Sequence, residues 1–420
     1  MRSFIRSHAV LLVLTGIYAA NFMDRSAIAV VIEPMKASLG LSDAEAGLVQ
    51  SVLLLCLPVL LIPCSLVLDL WSRRNMILLV ALVWCLGCLG TGLAVGFVTL
   101  LVARAVCSLG EATFGPGSTA WVSMSYPDER RASMLGFFTL AAPVGMALGT
   151  LGGGLVLEWT GSWRSPFFMV MALGLALGLC VPFLKDYATP TRHGEGLKEY
   201  LGGTFRLFRN HTLMIVSFAT AAYGFIKFSY QAWVPAMLVR SYELSCMTAG
   251  ALFSIMVLAG AIGPIVGGRL ADRLQRRWPV GRAVTAGTLL CAVLASKAVF
   301  YGLMGRLPLS LMVAVGVLDA VITMAPSPVY FSMAQDVVPV RLKSMSVGLF
   351  GVIVFMAGGA WGPFAVGALS DVFGGGAEGL RTAMLANLLA AAISAFLFFL
   401  ACRHYRRDRD LARAADNAPG

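Results

Sequence analysis

Residues Leu101 to Pro116 read LVARAVCSLGEATFGP, an apolar run interrupted by two charges, Arg104 and Glu111. A charge at bilayer depth costs about 3 kcal/mol even on insertion scales, so such residues face a bundle interior or a water-filled path. In a helix, seven residues are nearly two turns, which sets the guanidinium and the carboxylate on one face about 10 Å apart along the axis. That face carries a fixed cation and a titratable acid. They are either a buried ion pair that only fixes helix packing or the charged core of a transport path, and the rest of the chain favours the second.

The flanking sequence is of the same apolar character. Its 420 residues are 58% hydrophobic and only 13% charged, with a mean hydropathy of +0.82. An integral membrane protein follows. The apolar runs are continuous rather than alternating, and each is long enough for a spanning helix, which excludes an outer-membrane barrel. The 45 glycines suit close helix approach in lipid. Twelve spans are read, at residues 9–32, 44–68, 76–97, 99–124, 132–156, 165–184, 211–239, 247–268, 283–304, 308–335, 344–369 and 382–402. With both termini cytoplasmic, only Lys36, Arg164, Arg240, Arg306 and Arg381 of the 32 basic residues fall in outside loops, and Arg25, Arg104, Lys227 and Lys297 lie within spans. The rest are inside, which is the positive-inside pattern of an integral membrane protein; the membrane expected is a bacterial inner (plasma) membrane. The net charge of +11 is therefore topology and attraction to lipid headgroups, not a nucleic-acid surface.

The nine cysteines are scattered through apolar spans, and Cys85 with Cys88 is the one CxxC; with no second pair and no nearby His it reads as packing. His8, His193, His211 and His404 fall at tails, the linker or span ends. No metal or cofactor site is expected. Arg2 and Arg6 precede an apolar run without a convincing cleavage site, so the first helix is expected to be retained.

An internal repeat divides the chain. The turn after span two carries Asp69, Arg73 and Arg74, and the turn after span eight carries Asp272, Arg273, Arg276 and Arg277, an acid followed by paired arginines in each case. The spacing from Asp69 to Asp272 is also that from Asp24 to Lys227. Similarly, the PDERRASMLG that follows span four is echoed by PVRLKSMSVG after span ten. Two parallel six-helix halves explain this, with a site expected between repeats near the midplane. The domains are 1–184, a cytoplasmic linker 185–210, a second bundle 211–402 and a tail 403–420. In the linker, Leu197, Leu201, Phe205 and Phe208 alternate with basic residues, as in an interfacial helix, or else the segment is a flexible tether. The tail reads as a frayed, solvated end. Ser42 and Glu45 form a capping box at the start of span two. Pro58, Pro63, Pro116, Pro143, Pro235, Pro264, Pro326 and Pro363 are candidates for kinks.

The loop GGRLADRLQRR, Gly267 to Arg277, resembles the loop signature of the major facilitator superfamily; after span two Asp69, Arg73 and Arg74 are kept, but Ser65 and Ser72 replace the usual glycines. Within that superfamily the chain is most similar to the spinster family of lysolipid and sphingolipid transporters and their bacterial relatives. NFMDR in span one, LSDAEAGLVQS opening span two, Arg104 and Glu111 continuing as GEATFGP, and AAPVGMALGTLGGG in span five carry the resemblance. It implies an all-α fold of two pseudo-symmetric bundles and a charged trio, Asp24, Arg104 and Glu111, linked to proton coupling and substrate passage. In this architecture spans one, four, seven and ten surround the central path.

The function expected is proton-coupled secondary active transport by alternating access, by a monomer, of an amphiphilic or lipid-like (lysophospholipid- or sphingolipid-type) anionic or zwitterionic substrate, with protons and membrane lipids as its other partners. Asp24 or Glu111 carries the proton; Arg104, Lys227, Asp319 and Asn21 bind substrate; Asp69, Arg73, Arg74, Asp272, Arg273, Arg276 and Arg277 form a cytoplasmic gate, or merely anchor topology. Lys297 in span nine is read as structural, snorkelling or pairing outside the path. Closing a cavity around a carboxyl disfavours its charged form while a nearby arginine favours it, so rocking can load and release a proton. A small organic anion or drug is the alternative cargo. An ATP-driven pump is excluded, since no G-x-x-x-x-G-K-[ST] occurs; an intramembrane enzyme lacks an evident nucleophile or metal partner for Glu111 or Asp24.

Overall fold

The computed structural model describes residues 2–70, 72–112, 114–184, 186 and 207–417, and among them every regular element is helical. The chain runs through α1 (Arg2–Val30), a short α2 (Ile32–Leu39), α3 (Asp43–Leu70), α4 (Arg73–Leu93), α5 (Phe97–Glu111), α6 (Phe114–Ser125), α7 (Asp128–Thr139), α8 (Ala141–Thr160) and α9 (Ser165–Gly178). After the linker come α10 (His211–Tyr242), α11 (Cys246–Gly260), α12 (Gly263–Arg277), α13 (Gly281–Leu303), α14 (Leu309–Met324), α15 (Ser327–Asp336), α16 (Lys343–Met356), α17 (Gly362–Val372), α18 (Gly376–Ala386) and α19 (Leu388–Asn417). Among the described residues, 11 helical segments are long and apolar enough to cross a membrane. The helix α1 is not one of them, because Asn21, Asp24 and Arg25 dilute its hydropathy. Its 29 residues still reach about 44 Å at 1.5 Å per residue, enough for a twelfth span.

Several expected spans are each built from two helices, and a proline explains each break. Span four divides after Glu111, ahead of Pro116; span five at Leu140, ahead of Pro143; span eight after Gly260, ahead of Pro264. Span ten divides at Pro326 itself, and span eleven between Met356 and Gly362, ahead of Pro363. A proline lacks the amide that would close the preceding turn, and its ring crowds the carbonyl four residues back. By contrast, α10 continues through Pro235. The capping box is present: the Ser42 amide donates to Glu45 Oε2 at 2.9 Å and the Glu45 amide to Ser42 Oγ at 3.2 Å.

Two compact units are resolved, one of Met1–Arg192 with Gln231–Ile255 and the other of His193–Tyr230 with Met256–Gly420. In the first, Leu14, Ile17, Ile77, Phe114, Trp121 and Phe138 form a buried cluster. Beside it α8 lies against α1 through glycines one turn apart. A Cβ at Gly145 would stand 2.3 Å from the Ala19 carbonyl oxygen, and one at Gly149 2.4 Å from that of Met23 and 2.2 Å from Ser26 Oγ. This backbone-to-backbone approach is why span five reads AAPVGMALGTLGGG. Gly149→Leu is therefore expected to destabilise the detergent-solubilised protein by about 1–3 kcal/mol, the usual cost of overpacking. Gly348→Ala, where a Cβ meets nothing within 4 Å, should leave the thermal midpoint at the parental value.

In the second unit Leu213, Val216, Leu290, Val293, Met333, Phe398 and Tyr405 share a core. The tail departs from expectation: α19 runs unbroken to Asn417 and is packed, not frayed. Tyr405 is fully buried and donates to Asp336. Asp408 Oδ2 accepts from the Thr212 amide at 2.9 Å, capping the start of α10, and Asp416 Oδ1 accepts from the Val340 amide at 2.9 Å. Tyr405, Asp408 and Ala412 recur at helical spacing, so the charged tail hides one inward face. The interfacial stripe expected in the linker lies outside the described residues, except for Phe208, which is exposed.

Candidate functional site

In the first unit α1 and α5 bring the charged trio together. Asp24 is fully buried and Arg104 is 1% exposed. Arg104 Nη1 donates to Asp24 Oδ2 at 2.8 Å and to Oδ1 at 3.0 Å, while its Nε is buried with no partner among the described residues. Glu111, 5% exposed, is held at the last residue of α5, where the proline break ends the helix. Its Oε2 accepts from Arg25 Nε at 2.6 Å and lies 2.5 Å from Arg25 Nη2; its Oε1 has no hydrogen-bond partner among the described residues.

The ion pair considered between Arg104 and Glu111 is therefore not the one formed. Each charge on α5 instead finds an opposite charge on α1, from the adjacent residues Asp24 and Arg25, so two acids and two arginines make a cluster of zero formal charge. Buried charges tolerate this because each is matched by a near partner. Arg25 was missed as a site residue, although the NFMDR motif contains it. Aromatic rings line the same corner: the Arg25 guanidinium lies 5.1 Å from the centre of the Phe22 ring, and Tyr18 stacks on Phe138 at 4.8 Å and meets Phe22 edge-on at 5.0 Å. Asn21 is buried one turn before Asp24.

Cys88 pairs spatially with Cys107 of α5 rather than acting with Cys85 as a CxxC. Together with Asp24 they place three donor atoms within 4.8 Å of one another. Both Asp24 oxygens are already taken by Arg104, whose fixed positive charge opposes a second cation there. The donor set thus does not suit a resident metal.

In the second unit Lys227 of α10 is half-buried, and no hydrogen-bond or ion-pair partner reaches its ammonium among the described residues. Asp319, expected to bind substrate, is held by side chains of its own unit. Its Oδ2 accepts from Lys297 Nζ of α13 at 3.0 Å and its Oδ1 from Ser296 Oγ at 2.8 Å. Lys297 is fully buried, its Nζ 3.8 Å from the centre of the Tyr230 ring, so it neither snorkels nor stands alone. A lysine in the middle of a span was the available signal, since such a charge demands a carboxylate nearby.

The gate expected after span eight is also wired differently. Asp272 pairs with Arg282 Nη2 at 3.1 Å, not with the exposed Arg273, Arg276 or Arg277. Arg282 Nη1 bonds Asp336, which Tyr405 shares. The tight turn that follows α12 folds α13 back on it, with a Cβ at Gly281 only 2.4 Å from the Leu274 carbonyl, and this brings Arg282 within reach. After span two, the side chains of Asp69 and Arg73 lie outside the described residues. Arg74 Nη1 donates weakly to the Pro182 carbonyl at 3.5 Å.

Residues 14–363 match the family model of the Major Facilitator Superfamily. The chain is 29% identical over 413 residues to an MFS-type efflux pump of Mycolicibacterium smegmatis, covering 96% of this chain and 94% of that one. It is 27% identical over 400 residues to a hexuronate transporter of Bacillus subtilis, with 92% of each covered. To human protein spinster homolog 1 it is 26% identical over 402 residues, covering 87% of this chain and 73% of that one. In fold it matches a bacterial homolog of the human lysosomal transporter spinster, solved in an inward-facing and unoccupied conformation, with a TM-score of 0.82 and 24% identity over 96% of this chain and 98% of that one. Its helices, its internal repeat and these relatives agree: the chain belongs to the Major Facilitator Superfamily, whose members are transporters and not enzymes.

Proposed function

We propose that the protein is a proton-coupled secondary transporter of the bacterial inner membrane, with both termini cytoplasmic, that moves an amphiphilic anionic or zwitterionic substrate by alternating access. The observation that carries the coupling is Glu111, a buried carboxylate with one oxygen on Arg25 and the other without a partner among the described residues. The free oxygen is where a proton can arrive without first breaking an ion pair. Ionised, Glu111 balances the four-charge cluster; protonated, it leaves the cluster one positive charge in excess. A conformational change that alters the contact with Arg25 then shifts the proton's occupancy, and the proton's occupancy shifts the conformational equilibrium by the same amount.

The substrate reading rests on Lys227. An ammonium held in a protein interior without a carboxylate is costly, and a bound anionic group offsets that cost only while it is present. The resemblance to the spinster family, a homolog of which is among the relatives, favours a lysolipid-like cargo with an apolar tail. The hexuronate transporter among the relatives, named for a sugar acid, favours a small organic anion for the same cation.

The test is purified protein in proteoliposomes under an imposed pH gradient, offered lysophospholipids and small organic anions side by side. Lysolipid movement that requires the gradient supports the first reading; movement of organic acids alone replaces it with the second. Lys227→Gln is expected to raise the apparent KM for the anionic substrate by tenfold or more, about 1.4 kcal/mol of lost binding, with a thermal midpoint of the substrate-free protein no lower than the parental one, because a costly charge is removed and no partner among the described residues is orphaned. An unchanged KM would remove Lys227 from the binding site.

A further inference from the structure

The second half of α4 and the first half of α5, both in the first unit, leave between them a groove of about 360 Å³, at the small end of clefts that hold a ligand. Its floor is set by two glycines of α4. A Cβ at Gly87 would stand 2.5 Å from the Cys107 amide nitrogen, and one at Gly90 3.2 Å from Ala103 Cβ. The helices therefore meet on bare backbone, while Leu93 of α4 and Val98 and Val102 of α5 stand exposed along the sides.

One end of this apolar groove is charged. Ala94, which lines it, follows the last residue of α4, and its carbonyl accepts from Arg164 Nη2 at 2.9 Å. The Arg164 guanidinium also lies 4.3 Å from the centre of the Trp163 ring, and Trp163 is itself buried and meets Phe167 edge-on. The cation is thus held in place by a carbonyl and a ring face. No carboxylate pairs with it among the described residues, and the C-terminus of α4 offsets only part of a unit charge. Trp159, exposed near the end of α8, supplies the kind of ring that spanning proteins place at headgroup level.

We propose that the groove and Arg164 form a binding site for an anionic phospholipid, with its phosphate on the guanidinium and one acyl chain along the floor between α4 and α5. In the proposed topology this lipid belongs to the outer leaflet. Lipid tails cover every exposed apolar surface of a spanning protein without distinguishing one from another. Here a chain fills a cleft between two helices, and its phosphate meets a fixed cation at the end of the same cleft. The planar fork of an arginine suits phosphate oxygens, and only Nη2 is engaged by Ala94. A chain seated there braces α4 against α5, the helix that carries Arg104 and Glu111.

The test counts the lipid held by delipidated, purified protein in native mass spectrometry, with palmitoyl-oleoyl phosphatidylglycerol as the probe and the matched phosphatidylcholine beside it. Saturable retention of one phosphatidylglycerol per chain is expected, several-fold tighter than that of phosphatidylcholine. Arg164→Gln should weaken it about tenfold, the loss of a hydrogen bond to a charged group, and Arg164→Lys should keep most of it. Val102→Trp narrows the groove from its exposed side, so it should weaken retention with the cation intact, and it decides the matter if Arg164→Gln does not fold. Arg306→Gln, which removes another exposed arginine, should hold the lipid as the parent does. So should Lys227→Gln, which separates this lipid from a cargo bound at the site proposed above. Equal retention of phosphatidylcholine, parental retention in folded Arg164→Gln or Val102→Trp, or loss of retention in Lys227→Gln would overturn the proposal, as would displacement of the lipid by inorganic phosphate.

Discussion

Glu111→Gln should abolish gradient-driven transport, down to the level of protein-free vesicles, while substrate binding and substrate-for-substrate exchange persist. The amide retains the shape of the carboxyl group and still offers an oxygen to Arg25, the donor that lies 2.6 Å from Oε2. What it loses is the ability to ionise. Binding and exchange need only the geometry, whereas net movement against a gradient needs a group whose charge changes during the cycle. Asp24 is the competing carrier, but both of its oxygens are bonded to Arg104 and it is fully buried. A proton reaches it only after that bridge opens. Full gradient-driven activity in a folded Glu111→Gln would transfer the coupling role to Asp24, and loss of folded protein would make the residue structural. Transport under a pH gradient, measured beside the thermal midpoint in detergent, separates the three outcomes.

Periodicity and composition made the helices legible because lipid leaves the backbone few alternatives to a helix. The proline breaks were legible for an equally local reason, and Pro116, Pro143, Pro264, Pro326 and Pro363 each stand at or shortly after an interruption. Charged residues were legible as positions but not as partners. Arg104 and Glu111 share a helix face, yet a guanidinium on a long side chain selects among every acid within its reach, and that choice depends on how α5 lies against α1. For this reason sequence spacing suggested a pair along one helix, and the structure holds two pairs across two helices. Asp319 shows the same limit. Its repeat position in span ten suggested a place on a path and named no partner, and the structure pairs it with Lys297 of α13. The tail was misread because its charges are dense, while Tyr405 and Ala412 alone report the buried face. Arg240 sat unremarked in an outside loop, since nothing local indicates that Glu33 and Asp43 converge on it.

The second large effect separates folding from coupling at the Arg104–Asp24 bridge. Arg104→Gln leaves a fully buried carboxylate without its cation, and Asp24→Asn leaves a buried guanidinium without its anion. Each is expected to cost about 3–5 kcal/mol, the penalty for breaking one side of a buried pair. In detergent this appears as a lower yield of folded protein and a lower thermal midpoint. The double variant Asp24→Asn with Arg104→Gln carries no unpaired charge there, so it should recover most of the lost stability while still failing to transport against a gradient. Arg104→Lys preserves the charge but replaces the planar fork with a point charge, and is expected to fold while transporting poorly. If both single variants keep the parental midpoint, the bridge is not part of what holds α5 against α1, and its charge serves the transport cycle alone. A double variant as unstable as either single would instead mean that packing around the two side chains, and not their charge balance, holds α1 and α5 together. Lys297→Met with Asp319→Asn offers the same cycle in the second unit, where the pair is equally buried. Rescue there, with gradient-driven transport kept, would mark that second pair as scaffold and confine coupling to the cluster on α1 and α5.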